Sequence, residues 1–146
     1  MTSQAKPPLI VVGVDGSEAS RAALRWAARQ AALTGSQLRP VHAWRLPPTY
    51  GIPADYGDTD FEKQARETLL RTVEEILGEH PGVAVDPQVV EGHPAAVLTE
   101  AARHADLLAV GSHGHGAFTG MLLGSVSYHC VQHATCPVLV VRPDGR

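Results

Sequence analysis

From Leu9 to Val14 the chain reads Leu-Ile-Val-Val-Gly-Val, an apolar run with no polar residue at alternate positions, closed by Asp15-Gly16-Ser17. A strand with one wet face would alternate, so this run must be covered on both faces, as in a parallel sheet wrapped by helices. The residues after it agree with that arrangement. Ser17 is an N-cap residue, and Ala19, Ala22, Ala23, Trp26 and Ala27 recur at helical spacing until Gly35 supplies a stop. Leu38 to Trp44 reads as a second strand, and the prolines and glycines between Arg45 and Gly57 then forbid regular structure.

Thr59 and Glu62 have the spacing of a capping box, and Phe61, Ala65, Leu69, Val73, Ile76 and Leu77 form the apolar stripe of a second helix. Val83 to Val90 is expected as a third strand. Pro87 lacks the N–H a central ladder needs, which places this strand at an edge. Pro94 opens a third helix carrying Leu98, Ala101, Ala102 and Ala105 on one face, and Leu107 to Val110 is a fourth strand. Ser125 to His133 predicts a fourth helix and Val138 to Val141 a fifth strand. No internal repeat interrupts this order, and 146 residues suit a single domain spanning 1–146.

Alternating strands and helices with right-handed crossovers predict a doubly wound α/β sandwich, a five-stranded parallel sheet of order 3-2-1-4-5 with four helices. Strands one and four are then neighbours whose connections diverge, and ligands settle beyond the carboxyl ends at such a switch point. Asp15 and Gly111 occupy those ends. After Gly111 come Ser112-His113-Gly114-His115-Gly116 and, further on, Gly124-Ser125-Val126 at the start of the fourth helix. Gly111 and Gly114 are expected to turn with positive φ and bring their amides close to an anion. Unpaired N–H groups at the helix start and the Ser125 hydroxyl complete a phosphate cradle. Asp15 would repel phosphate, so its expected role is to accept from a ribose hydroxyl or to neighbour a magnesium ion; a turn-forming role in Asp-Gly-Ser is the alternative.

The pattern Gly111-x2-Gly114-x9-Gly124-Ser125 resembles the ATP-binding signature of the universal stress protein family. The resemblance extends to Val-Gly-Val-Asp15-Gly-Ser at the start, Gly92-x-Pro94 at helix three, and the closing Cys136-Pro137-Val-Leu-Val-Val. It implies a regulatory, non-enzymatic protein that binds ATP, with Mg2+ held by its phosphates, and that dimerises; some relatives prefer cyclic AMP. By position it implies Gly13 and Asp15 near the ribose, the backbone around Ala43 at adenine, and Gly111, His113, Gly114, His115, Gly116, Gly124, Ser125 and Val126 at the phosphates. Relatives often carry Arg or Lys in this loop, whereas Ala117, Phe118 and Met121 stand here and His113 and His115 supply the charge. Acid is therefore expected to strengthen binding through imidazolium–phosphate pairs.

Other classes fit less well. Net charge is −3 with no basic run, which argues against a nucleic-acid partner, and no apolar run reaches membrane-spanning length. The absence of a signal-like start and the presence of only Cys130 and Cys136 suggest a reducing cytoplasmic setting. His129, Cys130, His133 and Cys136 match no common zinc spacing, so no metal site is expected. Neither a dinucleotide fingerprint nor a Walker loop is present, and no residue stands out as a base for activating water, although slow ATP hydrolysis is compatible with the loop. A nucleotide-independent dimeric module and a flavin carrier share the topology; copurified ATP or a yellow colour separates them. Val138, Leu139, Val140 and Val141 form an apolar edge, expected to pair antiparallel with its copy in a two-fold homodimer.

Overall fold

A computed structural model describes residues 6–46, 51, 60–79, 81–114 and 123–143. Strand β1 (Leu9–Gly13) leads through Asp15-Gly16 into α1 (Glu18–Thr34), followed by β2 (Gln37–Trp44) and α2 (Phe61–Leu77). The chain continues with β3 (Gln88–Glu91), α3 (Pro94–Ala101), β4 (Leu107–Gly111), α4 (Ser125–His133) and β5 (Val138–Val141). All pairings are parallel and the order is β3-β2-β1-β4-β5, as the alternation predicts.

Local chemistry sets the helix ends. The Ser17 hydroxyl accepts from the Ser20 N–H at 3.2 Å, and Gly35 closes α1 with φ of 69°. For α2 the cap is Asp60, whose Oδ1 accepts from the Lys63 N–H at 3.0 Å. The expected cap Thr59 lies outside the described residues, and the carboxylate one position later performs its task. Pro94 takes the first position of α3, and His93 Nδ1 accepts from the Ala95 N–H at 3.2 Å. This helix stops at Ala101, short of the expected Ala105, because the chain tightens so that Ala105 N–H bonds Ala102 O at 3.0 Å.

The third strand is also shorter than expected. Val85 makes only an isolated bridge to Leu38, and regular pairing begins at Gln88. Two prolines explain the gap. Leu38 donates its N–H to Ala84 O, so strand alternation aims position 40 at the same neighbour, where Pro40 has no N–H to give. Pro87 likewise has none on the facing segment. The Arg39 Nε–Asp86 Oδ2 pair at 3.0 Å holds the interrupted stretch, and β3 lies at the sheet edge as Pro87 requires.

Each face of the sheet has its own core. Ile10, Val12 and Leu38 of the sheet share one core with Leu24 and Ala27 of α1 and Leu69 of α2, while Val11, Val41, Leu108 and Val110 share the other with Leu98 of α3 and Cys130 of α4. Neighbouring residues of β1 therefore serve opposite cores, which is why its sequence is apolar without alternation.

Burial, aided by the neighbouring Cys136, pushes the Cys130 thiol from 9.0 up to about 11. Between those values the native state keeps a proton that the unfolded chain releases. The resulting stabilisation is complete below pH 9.0 and is lost as pH rises through about 11. Denaturant titrations should show stability falling by roughly 2–3 kcal/mol across that window. Cys130→Ala should flatten the slope; an unchanged slope would assign it to other groups.

Candidate functional site

Val11 pairs with Leu108, so β1 and β4 lie side by side at the centre of the sheet. Beyond their carboxyl ends the chain departs in two directions, to α1 on one face and towards α4 on the other. A cleft of about 390 Å³ opens between them. Gly13, Asp15, Ala43, Gly111, His113, Gly114, Gly124, Ser125 and Val126 all line it. His115 and Gly116 lie outside the described residues, as do most of the segment from Arg45 to Gly57 and residues 115–122 of the glycine loop.

Asp15 leaves β1 in a tight turn. Its Oδ1 accepts from the Ser17 N–H at 2.9 Å, and its own N–H donates to Ser20 Oγ at 3.3 Å. The turn-forming role is thus realised, and the same bonds aim the other carboxylate oxygen, Oδ2, at Gly114. A Cβ on Gly114 would collide with Oδ2. Gly16 takes φ of 84°, the one left-handed residue in this turn.

Two expectations about the glycines need correction. Neither Gly111 nor Gly114 has positive φ; the left-handed glycines among the described residues are 16, 35, 51, 78, 82 and 92. Gly111 ends β4 in extended form, and a Cβ there would lie 2.7 Å from the carbonyl carbon and Cβ of Ala19 and from the Ser20 nitrogen. Its bareness lets α1 press against the sheet. Gly114 is required by the Asp15 carboxylate instead of by a turn. Gly124 serves approach as well, since its Cβ would sit 3.0 Å from His113 Cα and Cβ.

Gly124 is also the N-cap of α4, with no side chain to cap the helix. Its N–H donates to Ser112 O at 2.7 Å, and Ser127 Oγ donates to the same carbonyl at 2.7 Å. These bonds tie the start of α4 to the end of β4 and leave the first-turn amides and exposed Ser125 directed at the cleft mouth. Such a helix start favours an anion.

Several lining residues carry no motif in the sequence. Val41, Pro94, Leu98 and Val110 supply an apolar wall, and Ser17, Ser20, His42 and Ser127 supply polar atoms. Period alone places Leu98 in a core; that its methyl groups reach Gly13, where a Cβ would be 2.7 Å from Leu98 Cδ1, depends on the crossing of α3 over β1. Main-chain carbonyls hold several of these side chains: His42 Nδ1 lies 2.8 Å from Val14 O, and Ser20 Oγ donates to Ser17 O at 3.1 Å. Among the described residues, no three His, Cys, Asp or Glu side chains gather to hold a metal ion. The His129 and His133 ring centroids lie 4.4 Å apart on α4 with the rings tilted by 40°, while Cys130 is buried. No described helix is long and apolar enough to cross a membrane.

Fold and cleft together define a doubly wound α/β protein with a cleft at its switch point, one wall apolar and the other formed by the turn after β1, the end of β4 and the start of α4. Residues 9–142 match the universal stress protein family, and the chain belongs to that family. A universal stress protein of Mycolicibacterium smegmatis is 40% identical over 142 residues, covering 92% of this chain and 45% of the relative. The chain thus spans about half the length of the curated relatives it matches. Among solved structures, the universal stress protein UspA from Lactobacillus plantarum has a TM-score of 0.74 at 20% identity, covering 95% of this chain and all of that one, a likeness of fold. A universal stress protein in complex with cAMP has a TM-score of 0.70 at 28% identity, covering 94% of this chain and 98% of that one.

Proposed function

We propose that this chain is a regulatory protein whose cleft between β1 and β4 binds an adenine nucleotide, with ATP the ligand its complete glycine signature implies. The observation that carries this reading is the meeting of Asp15, Gly114 and the open start of α4 around one cleft. The apolar wall of Val41, Ala43, Pro94 and Leu98 takes the base, Gly13 and Asp15 the ribose, and Gly111 to Gly116 with Gly124, Ser125 and Val126 the phosphates. Mg2+ belongs with the phosphate oxygens, where it would offset their repulsion from Asp15. Nucleotide occupancy changes conformation or association rather than serving turnover.

Cyclic AMP is the second reading. The stretch from Gly111 to Val126 contains no Lys or Arg, which favours a ligand of low negative charge, and a relative of similar fold is solved with cAMP. Calorimetry on ligand-stripped protein with ATP, AMP and cyclic AMP tests both. Saturable heat from any of them supports the site, their ranking selects the ligand, and no heat from all three refutes the reading.

A homodimer through β5, which lies at the sheet edge opposite β3, belongs to the same proposal. Leu108 N–H bonds Pro137 O and Ser112 N–H bonds Val141 O, so alternation turns the N–H groups of Val138 and Val140 outward. Antiparallel pairing with a second copy would satisfy them. Val140→Pro removes one outward donor and should convert a sedimenting dimer to monomer at micromolar concentration. A wild-type monomer at that concentration, or a variant that remains dimeric, counts against this edge.

A further inference from the structure

Two pairs of residues at i, i+4 spacing lie side by side on α4. Tyr128 and Gln132 are bonded to each other, Gln132 Nε2 donating to the Tyr128 hydroxyl at 3.2 Å. His129 and His133 form the second pair, with ring centroids 4.4 Å apart and the rings tilted by 40°. No described residue hydrogen-bonds or ion-pairs with either imidazole. His133 is exposed and His129 half-buried, so solvent reaches the pair, and neither residue belongs to the cleft.

Imidazoles one turn apart on a helix can hold a single cation between them. A late first-row transition-metal ion takes imidazole nitrogen at about 2.0–2.1 Å, so two such bonds from one ion need nitrogens about 3 Å apart. Rings with centroids 4.4 Å apart reach that separation by turning about the Cβ–Cγ bonds, and their tilt already brings one pair of edges closer than the centres. Position adds a second argument. His133 is the last residue of α4, where unpaired carbonyls and the negative end of the helix dipole favour a cation. The end of α3 lies close to it, since Thr135 Oγ1 donates to Arg103 O at 3.3 Å, so two helix ends of the same sign meet at this corner. The Arg103 guanidinium is drawn to Glu100 Oε2 at 3.4 Å, and α4 itself carries no Lys or Arg.

We propose that His129 and His133 chelate one late first-row divalent cation, of the Ni2+, Cu2+ and Zn2+ class, through one nitrogen of each neutral ring, with water filling the remaining positions. The site is open and has two protein ligands, unlike a closed thiolate site: Cys130 is buried, and among the described residues no third His, Cys, Asp or Glu joins the pair. The cation bridges the last turn of α4 and binds only the folded helix well, so it stabilises the native chain. This site is independent of the nucleotide reading of the cleft.

The test is calorimetric titration of nickel chloride into the full, nucleotide-stripped chain, Ni2+ being chosen because it leaves the two thiols unoxidised. Wild type should bind one equivalent saturably, and His133→Gln should weaken that site at least about tenfold, because the second imidazole no longer waits at high effective concentration beside the first. The chain has eight histidines, so a register control is needed. The double variant His133→Gln, Val131→His keeps two histidines on α4 but sets them at i, i+2, on different faces, and should bind no better than His133→Gln. Excess Ni2+ should raise Tm by several degrees in wild type and by much less in either variant. Positions 131 and 133 are both exposed, so metal-free melts of the variants should match wild type; if His133→Gln melts early, His129→Gln removes the other ligand and should show the same loss. No saturable site in wild type, an affinity unchanged by removing either histidine, or wild-type affinity in the register variant would overturn the proposal.

Discussion

Gly111→Ala should cost about 3 kcal/mol of unfolding free energy, the upper part of the range for overpacking a close-packed interior. The new methyl would meet the Ala19 carbonyl carbon and Cβ and the Ser20 nitrogen at 2.7 Å, and backbone cannot rotate aside as a side chain can. Helix α1 would have to lift from β4. That movement would loosen Ala22, Ala23 and Ala27, which are 0–1% exposed and fit only a close helix–sheet approach. For a domain of this size the loss corresponds to a fall of roughly 10 °C in Tm. Urea unfolding checks it, and a loss below about 1 kcal/mol would mean that α1 can slide without penalty.

Gly114→Ala should have the opposite profile, with stability changed by less than about 1 kcal/mol and adenine-nucleotide affinity reduced at least about tenfold. Position 114 lies outside any regular element, but its Cβ would overlap Asp15 Oδ2. The carboxylate cannot simply swing away, because Oδ1 is held by the Ser17 N–H at 2.9 Å. It must give up that bond or displace the loop, and either change spoils the arrangement that meets the ligand. An Asp15→Ala background isolates this contact. There the oxygen is gone, so adding Gly114→Ala should cost almost no further affinity. A second, equal loss in that background would show that Gly114 acts through its own backbone instead.

These two substitutions fall within one glycine signature and yet act through unrelated contacts. The motif was legible as a motif, and the convergence of Asp15 with Gly111 and Gly124 followed from the strand order alone. The reason for each glycine was not. Positive φ is the local argument for glycine, and it holds at Gly16 and Gly35, whose turns are completed by their immediate neighbours. At 111, 114 and 124 the missing Cβ makes room for Ala19, for Asp15 and for His113, and nothing local marks those approaches. The shortened β3 is similar. Pro87 alone indicated an edge, whereas the gap before Gln88 arises because Pro40, on a strand far away in sequence, lacks an N–H towards the same segment. The Asp60 cap in place of Thr59 is a smaller case, in which two adjacent residues both had suitable side chains and backbone geometry chose between them.

The sequence by itself determined the order of elements, the parallel sheet and the place where its connections diverge, because hydrophobic period, caps and crossover handedness are properties of short segments and of their succession. Only the tertiary structure decided what each site residue touches. The contacts of Gly111 with α1, of Gly114 with the Asp15 carboxylate, and of His42 with the Val14 carbonyl join residues from different strands and their loops. Their distances are set by how helices and strands pack, and that packing has no local signature in the chain.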